Sequence, residues 1–590
     1  MIIGFFILLL IIDWSLYFRH AGHFFQGDSV FLLSSRATSI ADFFVKFTKR
    51  ELSGFYRPLS HVESILYPGF GLHPIAYHVA VYAFFIFDTI AVYMLVRAIT
   101  RRRLAAALGT LFFSIHTVNA YTTYDVGFTP ELLYAFFYIA AVLAYLRYIE
   151  TGAKAMQYAS LACFVLSLLS KESAVTLPAT LFAFYILVGY RREPVKLRFI
   201  RAVRSTLPHS LILVAYLAFA LGYLHVMNIY VAKLLYPPKD AVGGSYNLAF
   251  NGTMLRNADV ALTWAFNIPR GSWGTWQHLK RVEIAYLKIF RFLVAALSLA
   301  LLITSERRMV AIGAVWFAIT ILPALPLRDH LIPYYLFLPI AGLSLVVGAA
   351  FAWIYDVLRR RQPVAAGAIL FMTFAGMVYV TSRSIRGDIR DNGLLGGSAD
   401  LAFSSLTDLK RLYPAMPAKT TIYFDDLEEP LSWEHNNGGL IKMAYNEEQI
   451  TSLYASLGDA AAVSGNNNTI FLGMHGKHLV DETSEYLAHP ERFVHYIDSA
   501  LYKLDVHPAD VDAGHGRYFL AISGLHNVPV SIVYALNDGP PEAFTVGLDA
   551  EGQITFDVSS GTRKGAYRFL GFNISGHKEW IRTDKSVTVH

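Results

Sequence analysis

Cysteine and charge are both scarce in this chain. Of its 590 residues only Cys163 is a cysteine, so no disulfide can form within the chain and no cysteine metal site can be built. Only 16% of the residues are charged, whereas a soluble globular protein has about a quarter. The net charge of +6 is modest and lies mostly in short loops, which is typical of membrane topology rather than nucleic-acid binding. These shortages argue against a soluble protein.

The chain is instead rich in long runs of apolar residues. Hydrophobic residues make up 55% of the chain, and the mean hydropathy is +0.41. Runs of membrane-spanning length, about 20 residues, recur from Met1 to about Val380 and then stop. One soluble core cannot hide so many wholly apolar helices. We therefore predict an α-helical polytopic membrane domain with about eleven spans, at 1–18, 75–96, 104–118, 129–147, 155–169, 174–189, 208–230, 285–303, 309–325, 332–354 and 364–381.

The distribution of lysine and arginine among the loops predicts the orientation. If the loops after spans two, four, six, eight and ten are cytoplasmic, they hold 17 of these residues in 47 positions, against 14 in the 130 positions of the intervening loops. Because cytoplasmic loops are the more basic ones, we predict a cytoplasmic N-terminus and an extracytoplasmic C-terminal region, periplasmic or lumenal. The first span lacks a basic n-region and a small-residue cleavage site, which indicates an uncleaved anchor.

The composition changes after Arg386, where apolar stretches shrink to strand length. Helical patterns at 399–412 and 447–457 and buried strands at 420–424 and 469–472 indicate an α/β region. From about Gly516, six short strands separated by turn sequences indicate a small β-sandwich. The predicted organisation is a membrane domain at 1–384, an extracytoplasmic α/β region at 385–512 and a β-sandwich-like region at 513–590.

Ionisable side chains collect in five segments at the predicted external ends of the spans. Such residues are costly near a membrane, so they are candidates for function. Carboxylates can act as bases on a hydroxyl, while arginine and lysine can hold a phosphate. The five segments are Gly27-Asp28-Ser29, Tyr56 to His61, His116 to Glu131, Ser170-Lys171-Glu172, and Arg328-Asp329-His330 with Tyr334-Tyr335.

Four short motifs in these segments resemble the GT-C superfamily of polyprenyl-phosphate-sugar glycosyltransferases. Within it, the chain most resembles the protein O-mannosyltransferases and the tetratricopeptide-type transmembrane O-mannosyltransferases. The motifs occur in the family's order over about 330 residues. They are Tyr56-Arg-Pro-Leu59, His116-Thr117 followed by Gly127 and Glu131-Leu-Leu133, Leu169-Ser-Lys-Glu172, and Tyr334-Tyr-Leu-Phe-Leu-Pro339 after Arg328.

The resemblance implies a sugar transfer with inversion, from a polyprenyl-phosphate donor to an acceptor hydroxyl on the extracytoplasmic face. The catalytic carboxylates would be Asp28, Asp125 and Glu131. The donor phosphate would be bound by Arg57, Lys171 and Arg328. Supporting roles would fall to Tyr56, His61, His116, Glu172, Asp329, His330 and Tyr334.

The chain also departs from the family's pattern. Relatives often carry two adjacent acids in the first external loop, whereas Gly27 precedes Asp28 here. The acid that usually follows the His-Thr pair is replaced by Val118 and Asn119. No tetratricopeptide repeat follows the membrane part. A second acidic role would therefore have to come from Asp125 or Glu131.

Each candidate has an alternative without chemistry. Asp28 is also explained as an ordinary loop acid, and Arg57 as an anchor to lipid phosphates. Lys171 and Glu172 are equally explained as an internal ion pair, and His116 is better explained as a hydrogen-bond partner at a helix end. Asp125 and Glu131 are divided between contacting the acceptor and supporting other side chains.

The expected partners are a polyprenyl-phosphate-sugar donor, an acceptor protein, lipid or glycan, and membrane lipids, but no nucleic acid. The sequence indicates no cofactor and leaves open whether a divalent cation takes part. Two alternative functions remain: a non-catalytic membrane scaffold that displays the C-terminal domain, and a transporter. A transporter predicts broken helices and ionisable residues near the bilayer midplane.

Overall fold

The computed structural model of the chain has two compact units, Met1–Asp400 and Leu401–His590. The predicted divisions at 384/385 and 512/513 stay predictions. The structure describes residues 2–20, 22–34, 39–45, 47, 56–188, 194–226, 248–270, 278–304, 306–328, 330–390, 397–425, 430–454, 468–488, 496–497, 503–514, 516–523, 525–526, 528–537, 542–559, 561–574 and 580–590.

The first unit is helical, and its long helices follow the apolar runs of the sequence. A helix satisfies its own backbone hydrogen bonds, which an apolar surrounding requires. Proline begins two of these helices, where its missing N–H costs nothing, as Pro74 and Pro363 do. The long helices are Ile2–Leu16, Pro74–Thr100, Arg103–Ser114, Thr129–Thr151, Lys154–Ser170, Leu177–Val188, Val195–Val226, Arg281–Leu302, Arg307–Ile321, Phe337–Leu358 and Pro363–Arg390.

Each of the eleven predicted spans overlaps one of these helices. Among the described residues, seven are long and apolar enough to cross a membrane, and an eighth span is formed if one bent pair counts as a single crossing. That pair, Arg103–Ser114 and Val118–Tyr124, is bent by 64°. The remaining three, Ile2–Leu16, Lys154–Ser170 and Glu172–Val188, are shorter apolar helices. The prediction of a polytopic α-helical membrane domain is confirmed.

Short helices between the long ones carry most of the candidate site. The helix Gly27–Ser34 packs against the 3₁₀ turns Val126–Phe128 and Pro58–Leu66. The segment Pro58–Leu66 in turn packs against the long helices Thr129–Thr151 and Lys154–Ser170. Segments that are far apart in sequence are thereby brought to one place.

The second unit begins with an α/β layer. Strand β1 (Thr421–Asp425) pairs in parallel with β2 (Thr451–Tyr454) and β3 (Thr469–His475), and β4 (His478–Asp481) pairs antiparallel with β3. The helices of this layer are Gly397–Leu412, Pro430–Glu434, Gly439–Tyr445 and Thr483–Ala488.

One element of this layer differs from the sequence prediction. The helix predicted at 447–457 is wrong, because residues Thr451–Tyr454 form strand β2 beside β1. Ile450 and Tyr454 are buried in the core of the layer. Tertiary pairing therefore overrides the local helical pattern.

The rest of the second unit is rich in β-strands. One sheet has the order β10-β9-β12-β13-β5 with β14 and β7 attached, and a three-stranded sheet has the order β11-β8-β6. Leu520 from one sheet and Ile532, Phe569 and Phe572 from the other share a buried core. The strands are β5 (Tyr496–Ile497), β6 (Leu504–His507), β7 (Asp510–Val511), β8 (Gly516–Ile522), β9 (Pro529–Leu536), β10 (Glu542–Gly547), β11 (Gln553–Val558), β12 (Gly565–Ile574), β13 (Trp580–Arg582) and β14 (Ser586–Val589).

Candidate active site

Asp28 lies in the first turn of the helix Gly27–Ser34, where the helix dipole favours a carboxylate. Its residue is only partly exposed. Burial raises the pKa of Asp28 to about 6, while the positive charge of Arg57 acts in the opposite direction. At neutral pH the group is therefore a carboxylate that is more basic than an ordinary aspartate.

The backbone of Gly127 packs directly against Asp28. A Cβ atom at position 127 would lie 2.5 Å from the carbonyl carbon of Asp28 and 2.8 Å from the backbone nitrogen of Ser29. No real side chain tolerates such distances. The close approach of the turn Val126–Phe128 to Asp28 thus requires glycine at this position.

Asp125 stabilises the same turn. Its Oδ1 accepts a hydrogen bond from the backbone N–H of Gly127 at 2.7 Å and another from the hydroxyl of Ser29. The Gly127 N–H also lies 3.3 Å from the Ser29 hydroxyl oxygen. Asp125 is 4% exposed. This geometry favours the supporting role for Asp125, and its predicted catalytic role stays a prediction.

Arg57 and Glu172 form a two-pronged ion pair. Arg57 Nε donates to Glu172 Oε2 at 2.7 Å, and its Nη2 donates to Oε1 at 2.6 Å. Such fork-to-fork pairs fix the guanidinium in one orientation. Arg57 also acts electrostatically on Asp28 and favours its charged form, and the ion pair with Glu172 keeps the orientation of this cation fixed.

Lys171 and Glu131 form a second ion pair, which is buried. Lys171 Nζ bonds to Glu131 Oε1, and each side chain is only 5% exposed. The ammonium also lies 5.1 Å and 4.9 Å from the ring centroids of Tyr334 and Tyr335, within the range of a cation–π interaction. Lys171 thus pairs with an acid forty positions away rather than with its neighbour Glu172.

Tyr334 and His330 complete this side of the cluster. The Tyr334 ring lies 4.7 Å from that of Phe128, in the turn that carries Gly127. Burial and the charge of Lys171 lower the pKa of His330 to about 4, so its imidazole is neutral at neutral pH. One continuous chain of contacts therefore joins Asp28, through Gly127 and Phe128, to the tyrosines and Lys171.

A further carboxyl group, that of Glu63, lies in the segment Pro58–Leu66, which packs against the helix that carries Asp28. Glu63 is 4% exposed, and burial together with the charge of Asp125 raises its pKa well above the usual value. The neighbouring His61 is also buried. The burial of Glu63 arises from the tertiary fold, so no local feature of the sequence distinguishes it from an ordinary loop acid.

His116 lies in a separate environment. Its Nδ1 accepts from the backbone N–H of Val118 at 3.2 Å, and its Nε2 lies 3.3 Å from the carbonyl oxygen of Ala265. Both nitrogens are occupied when Nε2 carries the proton. The adjoining Thr117 donates to the side chain of Asn267 at 2.6 Å. This arrangement favours the structural explanation of His116.

The other predicted residues are less closely tied to the cluster. The Tyr56 hydroxyl donates to the carbonyl of Phe47 at 3.0 Å, and its ring packs on Phe219. Arg328 is exposed, and its carbonyl accepts from Arg256 at 3.1 Å. Asp329 lies outside the described residues.

No group of three or more potential metal ligands occurs in the part of the chain that the structure describes.

Comparison with known proteins finds similarity only among solved structures, since no family model and no curated protein match the chain. ArnT from Cupriavidus metallidurans is 13% identical, covers 84% of this chain and 95% of its own, and has a TM-score of 0.46. The apo oligosaccharyltransferase of Archaeoglobus fulgidus is 9% identical, with 100% and 98% coverage and a TM-score of 0.48. The same archaeal enzyme, AglB, in complex with an inhibitory peptide and a dolichol-phosphate is 10% identical, with 100% and 97% coverage and a TM-score of 0.49.

Both proteins are GT-C glycosyltransferases. At these identities and TM-scores the likeness concerns the overall fold, and it carries no argument about substrate, mechanism or site residues.

Proposed function

We propose that this protein is a membrane glycosyltransferase that moves a sugar from a polyprenyl-phosphate donor to an acceptor hydroxyl, with inversion. The observation that carries the proposal is a basic carboxylate, Asp28, under the electrostatic influence of Arg57, a cation that Glu172 holds in one orientation. A transfer of this kind needs a base at the attacking hydroxyl and positive charge at the departing phosphate.

Asp28 would act on the acceptor. Its carboxylate takes the proton of the acceptor hydroxyl while that oxygen attacks the anomeric carbon. The bond between the anomeric carbon and the phosphate oxygen breaks at the same time, and the lipid phosphate leaves with the electron pair. A single displacement of this kind inverts the anomeric configuration. A pKa near 6 suits the role, because Asp28 is then ionised at neutral pH and yet basic enough to accept a proton.

Arg57 and Lys171 would act on the donor phosphate. Both belong to ion pairs in the described structure, with Glu172 and Glu131 respectively. The acids hold the two cations in place and offset part of their charge before a donor binds. Cations that are fixed in advance stabilise developing negative charge without reorganising during the reaction. Arg328, whose residue is exposed, is the third cation that we propose for the donor phosphate.

The extracytoplasmic location of this chemistry belongs to the same proposal. It is supported by the excess of lysine and arginine in the predicted cytoplasmic loops. The acceptor would be a protein, a lipid or a glycan on that face of the membrane.

A transporter is the second candidate, because the helical unit has features that a transporter requires. The pair Arg103–Ser114 and Val118–Tyr124 is bent by 64°. Asp13 and Asp88 are buried within apolar helices. Substrate flux into vesicles without any new glycosidic bond would favour this candidate over sugar transfer.

The direct test of the donor class uses the purified full-length protein in lipid vesicles. Radiolabelled sugar is supplied as a polyprenyl phosphate, as a polyprenyl pyrophosphate or as a nucleotide sugar, together with a membrane extract as the acceptor source. We expect label to move only from the polyprenyl phosphate, with an inverted anomeric centre in the product by NMR. Transfer from the nucleotide sugar by folded protein would contradict the proposal.

A further inference from the structure

A groove of about 560 Å³ lies beside the helix Arg281–Leu302, away from the side chains assigned to sugar transfer. Three cations line it: Arg270, Lys288 and Arg291. Its apolar lining includes Ile268, Phe292 and Ala295. None of the described residues that line the groove is a carboxylate.

Two of these cations stand where a membrane helix rarely carries charge. The helix Arg281–Leu302 is one of the candidate spans, with a mean hydropathy of 1.9 in its most apolar window. Lys288 and Arg291 are three positions apart and therefore lie on one face of the helix. At 1.5 Å per residue they lie about 10–15 Å beyond its first residue. Basic side chains inside an apolar span are expensive, and they are usually kept for a functional reason.

The carboxylates near this end of the helix already have partners other than Lys288 and Arg291. Glu283 lies 3.7 Å from Arg383 and accepts from the Tyr379 hydroxyl at 3.4 Å. Asp259 pairs with Arg270 and offsets its charge. Among the described residues, neither Lys288 nor Arg291 has an ion pair of its own. The groove therefore keeps a surplus of positive charge next to an apolar wall.

We propose that this groove binds the phosphate headgroup of an anionic membrane phospholipid. The ammonium of Lys288 supplies a point charge, and the guanidinium of Arg291 can hold two phosphate oxygens at once. Phe292 and Ala295 follow on the same helix and offer an apolar path for an acyl chain. A phosphodiester is the negatively charged group that a membrane presents beside such a helix. The occupant would be a structural lipid, and its binding does not depend on the chemistry proposed for Asp28.

Native mass spectrometry of the delipidated full-length protein tests this proposal. The protein is titrated with phosphatidylglycerol or phosphatidylcholine in detergent, and the double variant Lys288→Gln/Arg291→Gln is compared with the wild type. Each basic residue near a membrane surface strengthens anionic-lipid binding about fivefold, so the double variant should bind phosphatidylglycerol roughly 30-fold more weakly. Binding of phosphatidylcholine should not change.

Two further variants control the result. Arg281→Gln removes a cation from the same helix outside the groove and should leave phosphatidylglycerol binding unchanged. Lys288→Arg/Arg291→Lys keeps both charges and should retain most of the binding, which shows that the helix still packs. Equal binding of phosphatidylglycerol by wild type and double variant would overturn the proposal. So would displacement of the lipid by millimolar inorganic phosphate, or a stronger preference of the same cations for a polyprenyl phosphate.

Discussion

The backbone of Gly127 lies against Asp28 so closely that a Cβ atom on residue 127 would come within 2.5 Å of the Asp28 carbonyl carbon. These two residues are almost a hundred positions apart, and the hydrogen bonds of Asp125 to Gly127 and Ser29 hold them together. The position of the proposed base is thus set by a turn in a different loop. Small changes in the conformation of that turn should therefore shift the position of Asp28.

Replacement of Gly127 by alanine should therefore impair transfer without removing any reactive group. The added methyl group must push the turn away from the backbone of Asp28 and Ser29, and overpacking of this kind typically costs about 1–3 kcal/mol of stability. We expect transfer to fall about tenfold or more, since even a small misplacement of a catalytic group is costly. Gly69→Ala is the matched control, because a Cβ there meets nothing within 4 Å. Equal activity of the two variants in a vesicle assay would show that the contact between Gly127 and Asp28 does not affect transfer.

The rate of transfer should depend on pH in the way that the pKa of Asp28 dictates. The active form is the carboxylate, so the rate should rise about tenfold per pH unit below pH 6 and level off above it. Arg57 favours the charged form and so lowers this pKa. Arg57→Gln should consequently shift the whole profile to higher pH, in addition to weakening donor binding. A pH profile that stays in place, or moves to lower pH, would show that Arg57 does not lower the pKa of the catalytic group.

The Lys171–Glu131 pair gives a prediction that separates stability from activity. Removing one partner of a buried ion pair leaves an uncompensated charge and typically costs about 3–5 kcal/mol. Glu131→Gln alone should therefore lower the melting temperature markedly. The double variant Lys171→Gln/Glu131→Gln should regain much of that stability, yet transfer should stay low because the cation beside the donor phosphate is gone.

Glu150→Gln provides the comparison for the buried pair, since Glu150 contacts Arg101 and Arg147 at the exposed surface and such pairs contribute little. If the double variant recovers transfer together with stability, then Lys171 is a structural residue and not a phosphate ligand.

The predicted orientation can be checked independently of chemistry. A reporter that is active only outside the cytoplasm should work when fused after Arg386 and fail when inserted between positions 190 and 206. This follows from the concentration of lysine and arginine in the predicted cytoplasmic loops. The reverse result at both positions would place the Asp28 cluster on the cytoplasmic side.

The helices of the membrane unit were predictable because their information is local. A run of apolar residues favours a helix whatever its neighbours are, and each predicted span overlaps a helix. The segment Thr451–Tyr454 could not be predicted in this way. Its strand exists because β1 lies beside it, and a single stretch of sequence carries no record of that partner.

The candidate site also has features that the local sequence predicts and others that depend on the tertiary fold. Asp28, Arg57 and Lys171 could be picked out from their charge and from their positions in the predicted external segments. Their pairing could not, because Lys171 bonds to Glu131 and Arg57 to Glu172 through contacts across the fold. The partner of His116 Nε2, the carbonyl oxygen of Ala265, likewise lies far along the chain.

The central claim is that the Asp28 carboxylate removes the acceptor proton, and Asp28→Asn tests it most directly. The substitution keeps the size of the side chain but removes its basicity, while Asp42→Asn makes the same change in the first turn of the neighbouring helix Ile40–Val45. With a polyprenyl-phosphate sugar in vesicles, Asp28→Asn should slow transfer by about 10²–10⁴-fold at pH 7.5, with donor binding and melting temperature close to wild type. Asp42→Asn should leave the rate unchanged. A rate for Asp28→Asn within a few-fold of wild type would show that Asp28 is not the base.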